Sequence, residues 1–274
     1  MTKKTIFFTL FISIFLNSTL LAQGDIMITP KRIVFSESDM KRKITLINVG
    51  DTESLFTVSF VQRRMNEDGS VTSITNPDPG EKFATPHLRI YPRRVVLKPG
   101  ESQIVILQRR RSNNIEDGEY RSHLSFLSLP NITPLKNLTP IIEKDTITFS
   151  TILTTTFSIS IPVILRYGEP NVSSYISDLK LEGTQLRFNI NRKGNVSIYG
   201  DFLIQYIPEE GEPFSILNRK GVGVYTTIEK RKMTFNLDKT TNIDFNKGSL
   251  KVIFKAPSGS IQEVFAEKTL LLRQ

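Results

Sequence analysis

The sequence of 274 residues contains no cysteine and no tryptophan, and its only histidines are His87 and His123. Without cysteine the chain cannot form a disulfide framework, a cysteine-ligated zinc site or a thiol nucleophile. Two histidines are too few for a histidine-rich metal site. The motifs G-x-S-x-G, H-E-x-x-H and the P-loop are also missing, and no spacing ties two carboxylates together. These absences predict a protein that is not an enzyme, with no catalytic residues, no metal and no cofactor.

Long apolar runs are scarce, and the clearest one lies at the N-terminus. Lys3 and Lys4 precede a mostly apolar stretch at 6–16, and Leu20-Leu21-Ala22 follows. This layout is typical of a secretory signal peptide over 1–22, cleaved after Ala22. The run is shorter than the ~20 residues that a membrane span needs. We therefore expect an exported protein without a stable membrane anchor; the alternative is an N-terminal anchor helix.

Positive charge exceeds negative charge, with 36 lysines and arginines against 27 acidic residues and a net charge of +9. Such an excess can indicate nucleic acid, a membrane surface or an acidic partner. Two of these charges lie in the predicted signal peptide, and the others are spread over both halves of the chain. Basic runs such as Arg109-Arg110-Arg111 are short and lack interleaved aromatic residues. No nucleic-acid partner is therefore expected.

Alternation of apolar and polar residues, the pattern of a half-buried strand, runs through most of the chain. Turn signals such as Pro99-Gly100 and Asp117-Gly118 separate the candidates. The candidate strands cover 43–49, 56–61, 103–108, 120–127 and 147–165, then 176–181, 185–190, 196–207, 233–236, 249–254 and 261–272. No helical period of useful length occurs. The pattern predicts an all-β fold of two β-sandwiches.

The two predicted sandwiches are separated by Tyr167-Gly168-Glu169-Pro170. Proline cannot continue a strand ladder, and glycine permits a bend. The sequence therefore predicts three parts: a signal peptide at 1–22, an N-terminal domain at 23–166 and a C-terminal domain at 167–274. The mature chain of about 250 residues is long enough for two domains that each bury their own core.

The longest alternating segment runs from Thr151 to Arg166, at the end of the first predicted domain. Its odd positions are mostly apolar and its even positions are mostly small or polar. The segment exceeds the ~5–6 residues of a typical strand, so it can extend past its own sheet and offer an apolar face and free backbone to a partner. The alternative is a long internal strand followed by the linker.

Near the start of the mature chain, Arg32 lies among β-branched and aromatic neighbours in Ile28-Thr29-Pro30-Lys31-Arg32-Ile33-Val34-Phe35. A guanidinium group can hold a carboxylate in a bidentate manner. Arg32 is thus a candidate carboxylate ligand. The alternative is an exposed edge-strand arginine that opposes aggregation.

Several segments, in order along the mature chain, resemble those of one family. They are Arg32-Ile33-Val34-Phe35, Tyr91-Pro92, Leu97-Lys98-Pro99-Gly100-Glu101-Ser102 with the strand after it, Asp117-Gly118-Glu119-Tyr120-Arg121-Ser122-His123-Leu124, and Ile161-Pro162-Val163-Ile164-Leu165-Arg166. In these segments the chain resembles the periplasmic pilus (fimbrial) chaperones of the chaperone–usher pathway, as a divergent member.

The resemblance implies two immunoglobulin-like domains in a boomerang arrangement and a location in the periplasm. It also implies partners, namely pilus subunits and an outer-membrane usher. A subunit is an incomplete sandwich, and the chaperone lends it the last strand of its first domain until the usher takes it over. This exchange is one form of strand addition to a sheet edge.

The resemblance also implies roles for particular residues. The side chains donated to the subunit match Leu153, Thr155, Phe157, Ile159 and Ile161. Arg32 matches the arginine that binds the subunit's C-terminal carboxylate, and Arg166 matches an arginine at the interdomain cleft. The family's second carboxylate ligand, a lysine, falls at Pro162 here, and we expect Arg121 to replace it.

Two other classes compete with a chaperone. One is an immunoglobulin-like secreted surface adhesin or structural pilus component, whose donor would be its own N-terminal extension. The other is an exported carbohydrate-binding or hydrolytic sandwich, which would need an aromatic platform or a carboxylate pair. The long alternating strand at the end of the first domain favours the chaperone.

Overall fold

The computed structural model describes residues 26–111, 115–129, 142–143, 146–147, 156–237, 243–260 and 263–272. Within these ranges the regular structure is strand, apart from a single 3-10 turn at Thr85–His87. No helix in the described part of the chain is long and apolar enough to cross a membrane.

The strands up to residue 167 form the first sandwich and a small separate hairpin. They are β1 (Ile26–Thr29), β2 (Ile33–Phe35), β3 (Lys41–Asn48), β4 (Ser54–Met65), β5 (Val71–Ile74), β6 (Leu88–Tyr91), β7 (Arg94–Leu97), β8 (Ser102–Arg109), β9 (Gly118–Leu129), β10 (Ile142–Glu143), β11 (Thr146–Ile147) and β12 (Phe157–Tyr167). The hairpin is the pair β10 and β11.

The first sandwich has the strand order of an immunoglobulin fold. One sheet has the order β1-β3-β8-β6, and the other has the order β2-β12-β9-β4-β5, with β7 also paired to β4. These orders match the A-B-E-D and G-F-C sheets of an immunoglobulin domain. The Tyr120 hydroxyl near the start of β9 donates to the Glu116 carbonyl at 3.0 Å, as in the tyrosine corner of such domains.

The core between these sheets comes from one face of each strand. In β3, for example, Ile44 and Leu46 are fully buried while Thr45 and Ile47 between them are only half-buried. Phe35, Phe56 and Phe126 fill the centre with no exposed surface. Burial of each such side chain contributes roughly 1.5–3 kcal/mol, so alternation holds this disulfide-free domain together.

The strands from residue 172 onward form a second sandwich. They are β13 (Val172–Glu182), β14 (Gln185–Gly194), β15 (Ile198–Ile207), β16 (Phe214–Val224), β17 (Lys230–Asn236), β18 (Ser249–Lys255) and β19 (Val264–Leu271). One sheet has the order β13-β14-β17, and the other has the order β16-β15-β18-β19. The rings of Phe202 and Phe254 stack in its core with centroids 4.5 Å apart. The predicted all-β fold with two immunoglobulin-like sandwiches is confirmed.

Two details near the junction differ from the sequence-based expectation. Tyr167 does not lie in a linker; it pairs with Gly118 at the end of β12 and packs in the first core. Ile147 does not start the long strand, because it pairs with Ile142 in the hairpin. The exact domain limits of 23–166 and 167–274 stay a prediction.

Candidate functional site

One edge of β12 is the first feature of the site. On one side β12 pairs with β9 along its whole length, from Phe157 opposite Ser128 to Tyr167 opposite Gly118. On the other side β2 pairs in parallel only with Val163, Ile164 and Leu165. Among the described residues no strand pairs with 157–162 on that side. These six residues are therefore an open strand edge, named here the free edge.

Pro162 indicates which backbone groups of the free edge point outward. Proline has no N–H to give to a ladder, so in a sheet its nitrogen faces an open side. Pro162 is paired with His123 on β9, and its nitrogen therefore faces away from β9. Because the direction alternates along a strand, the N–H and C=O groups of Ser158 and Ser160 also face the free edge. They can pair with an added strand.

The apolar stripe of β12 continues past the core of the first sandwich. Ile161, Val163 and Leu165 are buried in that core, at 4% exposure or less. Phe157 and Ile159 lie on the same face of the strand, yet they are 49% and 37% exposed. The predicted donor residues Leu153 and Thr155 lie outside the described residues.

The second feature is a cleft between the sandwiches, beside the end of the free edge. Ile33 pairs with Val163, so Arg32 immediately before it lies next to Pro162. The cleft has a volume of about 570 Å³, and its lining includes Arg32, Arg166, Ser197 and Tyr199. A strand added to the free edge would therefore end at this cleft.

The Arg32 guanidinium contacts side chains of the second sandwich, and one of its nitrogens has no hydrogen-bond acceptor among the described residues. Its Nη2 donates to the Ser197 hydroxyl at 3.2 Å, and its guanidinium carbon lies 4.6 Å from the ring centroid of Tyr199. Burial lowers the pKa of Arg32, although Tyr225 and Glu119 partly counteract that effect; arginine stays charged at neutral pH nevertheless. Its Nη1 is buried without a hydrogen-bond acceptor in the described part of the chain. A buried charged donor of this kind calls for an anion.

Arg166 lies at the domain junction and is held there by an acid from its own sandwich. Its Nε donates to Glu119 Oε2 at 3.1 Å, and its Nη2 donates to the Ser197 carbonyl at 2.7 Å. The same Glu119 oxygen accepts from the Ser197 amide and hydroxyl, both at 2.8 Å. Sequence reasoning missed Glu119 and Ser197. The register of β9 and β12, which places Glu119 opposite Arg166, was the signal that could have found the acid.

Arg121, the expected second carboxylate ligand, already has an acidic partner. Its Nη2 donates to Glu81 Oε1 at 2.8 Å, and the two side chains are only 4% and 3% exposed. Its guanidinium carbon lies 4.1 Å from the Tyr225 ring centroid, which brings it to the ring that Arg32 also approaches at 5.8 Å. Its Nη1 has no acceptor among the described residues. Arg121 thus approaches the same tyrosine ring as Arg32, but it is buried in an ion pair with Glu81 and does not line the cleft.

His123 lies within this cationic group. Burial, followed by the charges of Arg121, Arg63 and Arg32, lowers its pKa from 6.5 to about 3. The imidazole is therefore neutral in the folded protein at pH 5, while in the unfolded chain it is mostly protonated there. The unfolded state binds more protons, so this group stabilises the fold above pH 6.5 and loses that contribution as the pH falls toward 3.

We expect the fold to lose about 2 kcal/mol through His123 between pH 7.5 and pH 5. Urea unfolding at both pH values measures this loss in the wild type and in His123→Gln, where it should disappear. His87→Gln is the comparison variant: burial and Arg109 also lower the pKa of His87, but His87 lies outside the group of Arg32, Arg63 and Arg121, so this variant should keep most of the wild-type loss. An equal pH dependence in His123→Gln and the wild type would contradict the assignment.

Comparisons with known proteins give structural neighbours only. No protein-family model and no curated protein matches the chain. The structure is similar to the YadV chaperone, with 11% identity, coverage of 91% of this chain and 100% of that chain, and a TM-score of 0.46. It is also similar to the CsuC–CsuE chaperone–tip adhesion subunit complex from Csu pili of Acinetobacter baumannii, with 13% identity, coverage of 89% and 98%, and a TM-score of 0.44.

A third neighbour is the CupB2 chaperone of Pseudomonas aeruginosa, with 12% identity, coverage of 90% and 100%, and a TM-score of 0.44. The printed descriptions of all three name a chaperone or a chaperone complex.

Proposed function

We propose that this protein is a periplasmic chaperone that binds pilus subunits by strand addition to the free edge and passes them to an outer-membrane usher. The observation that carries the proposal is the open edge at 157–162, with exposed apolar side chains, ending beside Arg32, whose Nη1 has no acceptor among the described residues. The predicted signal peptide supports the location, and the motif resemblance supports the usher.

Strand addition requires backbone groups and apolar side chains together, and the free edge offers both. The outward groups of Ser158 and Ser160 can supply the ladder hydrogen bonds, while Phe157 and Ile159 can enter a groove of an incomplete sandwich. Each apolar side chain that becomes buried contributes roughly 1.5–3 kcal/mol. An exposed apolar edge is also an aggregation risk, which a partner strand removes.

Arg32 favours one orientation of the added strand. A strand parallel to β12 would bring its C-terminal end to Pro162 and Arg32, whereas an antiparallel strand would bring its N-terminal end there. A carboxylate can accept from Arg32 Nη1, while an ammonium group would be repelled. The charge therefore selects the parallel orientation and a subunit whose chain ends at the cleft. Arg121 is the proposed second ligand.

The proposal is tested by co-expression with pilus subunits from the same genome and recovery of the complex from the periplasm. Phe157→Asp and Ile159→Asp should each reduce recovery about tenfold or more, because a charge replaces a side chain that the subunit buries. Ile104→Asp is the matched control: Ile104 is 44% exposed and lies on the sheet that does not contain β12. Arg32→Gln should also reduce recovery.

Two results would contradict the proposal. In one, the free-edge variants recover as much complex as Ile104→Asp. In the other, the chain assembles with itself into fibres, as a structural pilus component would. Thermal unfolding of each variant separates loss of binding from loss of folding.

A further inference from the structure

We infer that Tyr199 and Tyr225 of the second sandwich are positioning residues, which hold the Arg32 guanidinium ready for a carboxylate. The inference rests on the proposed function, because the carboxylate is that of a strand added to the free edge. It gives the second sandwich a direct part in partner selection, although the free edge belongs entirely to the first.

The two rings approach Arg32 from the second sandwich. Tyr199 lies in β15 and Tyr225 directly follows β16. The guanidinium carbon is 4.6 Å from the Tyr199 centroid and 5.8 Å from the Tyr225 centroid. Both distances are within the ≈ 6 Å range of cation–π attraction, which strengthens when the cation is desolvated. The lowered pKa of Arg32 is consistent with such desolvation.

The neighbouring strand leaves room for these rings. Gly223 is paired with Tyr199, and a Cβ atom there would be 3.7 Å from both tyrosine rings. Gly221 has a φ of +75°, and a Cβ atom there would lie 2.9 Å from the Tyr199 hydroxyl. Glycine is therefore favoured at 221 by its backbone conformation, and a larger residue there would also displace the hydroxyl end of the Tyr199 side chain. At Gly223 an added Cβ atom would contact both tyrosine rings at ordinary packing distance.

The arrangement leaves one buried nitrogen of Arg32, Nη1, without an acceptor among the described residues. Stacking uses the face of a guanidinium group, while its N–H groups point outward in the plane. Nη2 is taken by the Ser197 hydroxyl, and Nη1 has no acceptor among the described residues. The side chain is held before a ligand arrives, so less conformational entropy is lost when a carboxylate binds. This fixed donor should bind a C-terminal carboxylate more tightly than an uncharged C-terminal amide.

Peptide binding to the full chain tests the inference. The probes are two synthetic six-residue peptides of alternating valine and threonine, one with a free C-terminal carboxylate and one with a C-terminal amide. We expect the wild type to bind the free acid about tenfold more tightly, as one charge-assisted contact allows. In Tyr199→Leu and Tyr225→Leu this ratio should fall to about threefold or less, with amide binding unchanged.

Conservative and matched variants distinguish positioning from simple packing. Tyr199→Phe and Tyr225→Phe keep the rings and should keep the wild-type ratio. Tyr175→Leu is the control on the same sandwich, since Tyr175 is 51% exposed on β13 and should have no effect.

Each failure has its own meaning. If both leucine variants keep the wild-type ratio, while Arg32→Gln loses it, the positioning role is wrong and the carboxylate ligand stands. If the wild type itself binds acid and amide equally, the carboxylate ligand of the proposed function is wrong. If neither peptide binds the wild type, strand capture at the free edge is wrong, and the inference with it.

Discussion

Replacing Glu119 with alanine is expected to destabilise the protein by about 3–5 kcal/mol and to loosen the contact between the two sandwiches. The carboxylate has no exposed surface and accepts from Arg166 and from both the amide and the hydroxyl of Ser197. Its removal leaves these donors without their acceptor and leaves Arg166 without its ion-pair partner. The loss should be large because a buried donor or charge without a partner costs far more than a surface ion pair gains.

Urea unfolding followed by far-ultraviolet circular dichroism measures the loss, and small-angle X-ray scattering measures the domain contact. Glu119→Ala should lower the unfolding midpoint, split the transition into two, and increase the radius of gyration. Glu116→Ala is the control, because Glu116 pairs with Lys82 at the surface with 80% of its side chain exposed; such pairs contribute about 0–1 kcal/mol. Equal losses in the two variants would contradict the role assigned to Glu119.

Breaking the buried pair of Arg121 and Glu81 is expected to have an effect of similar size. Glu81→Ala should cost about 3–5 kcal/mol, since it leaves a nearly inaccessible guanidinium without its anion. The double variant Glu81→Leu with Arg121→Met should regain most of that loss, because a buried ion pair can often be replaced by apolar side chains of similar volume. Unfolding free energies of the wild type, the single variants and the double variant form a double-mutant cycle that measures these effects.

The same double variant tests whether Arg121 contributes to carboxylate binding. If it does, the stable double variant should bind the acid and amide peptides with more similar affinities than the wild type. If the acid preference stays intact, Arg121 is a structural residue and Arg32 alone carries the preference. Glu182→Ala is the control for pair removal, because its partner Arg187 is exposed and the loss should be under about 1 kcal/mol.

The strands that the sequence pattern predicted have a regular alternation of apolar and polar residues, whereas a strand that it missed does not. β3, β8 and β18 each contain a run in which every second residue is buried, so the pattern predicted them within one or two residues. β16 was missed, since its apolar residues are interrupted by Arg219, Lys220, Gly221 and Gly223. It is an edge strand whose glycines make room for Tyr199. The glycines near Tyr199 thus interrupt the alternation pattern by which this strand could have been predicted.

The site shows the same division. The sequence pointed to Arg32 and to the alternating apolar face of β12, because one arginine among apolar residues and a period of two are local patterns. It could not show that β2 stops pairing at Val163, which leaves the free edge open. Nor could it show that Arg121 is paired with Glu81, 40 residues away in the chain.

By itself the sequence determined the all-β architecture, the division into two sandwiches and the alternating apolar face of the strand that ends the first sandwich. Each of these depends on the alternation of apolar and polar side chains along a strand, which is a property of residues close together in the sequence. Only the tertiary structure decided that no described strand pairs with the outer edge of 157–162 and that Arg32 lies at its end near two tyrosines of the other sandwich. It also decided that Glu119 balances Arg166. These features depend on contacts between groups that are far apart in the sequence. Burial strengthens the electrostatic interactions of these groups and raises the free-energy cost of an unpaired donor.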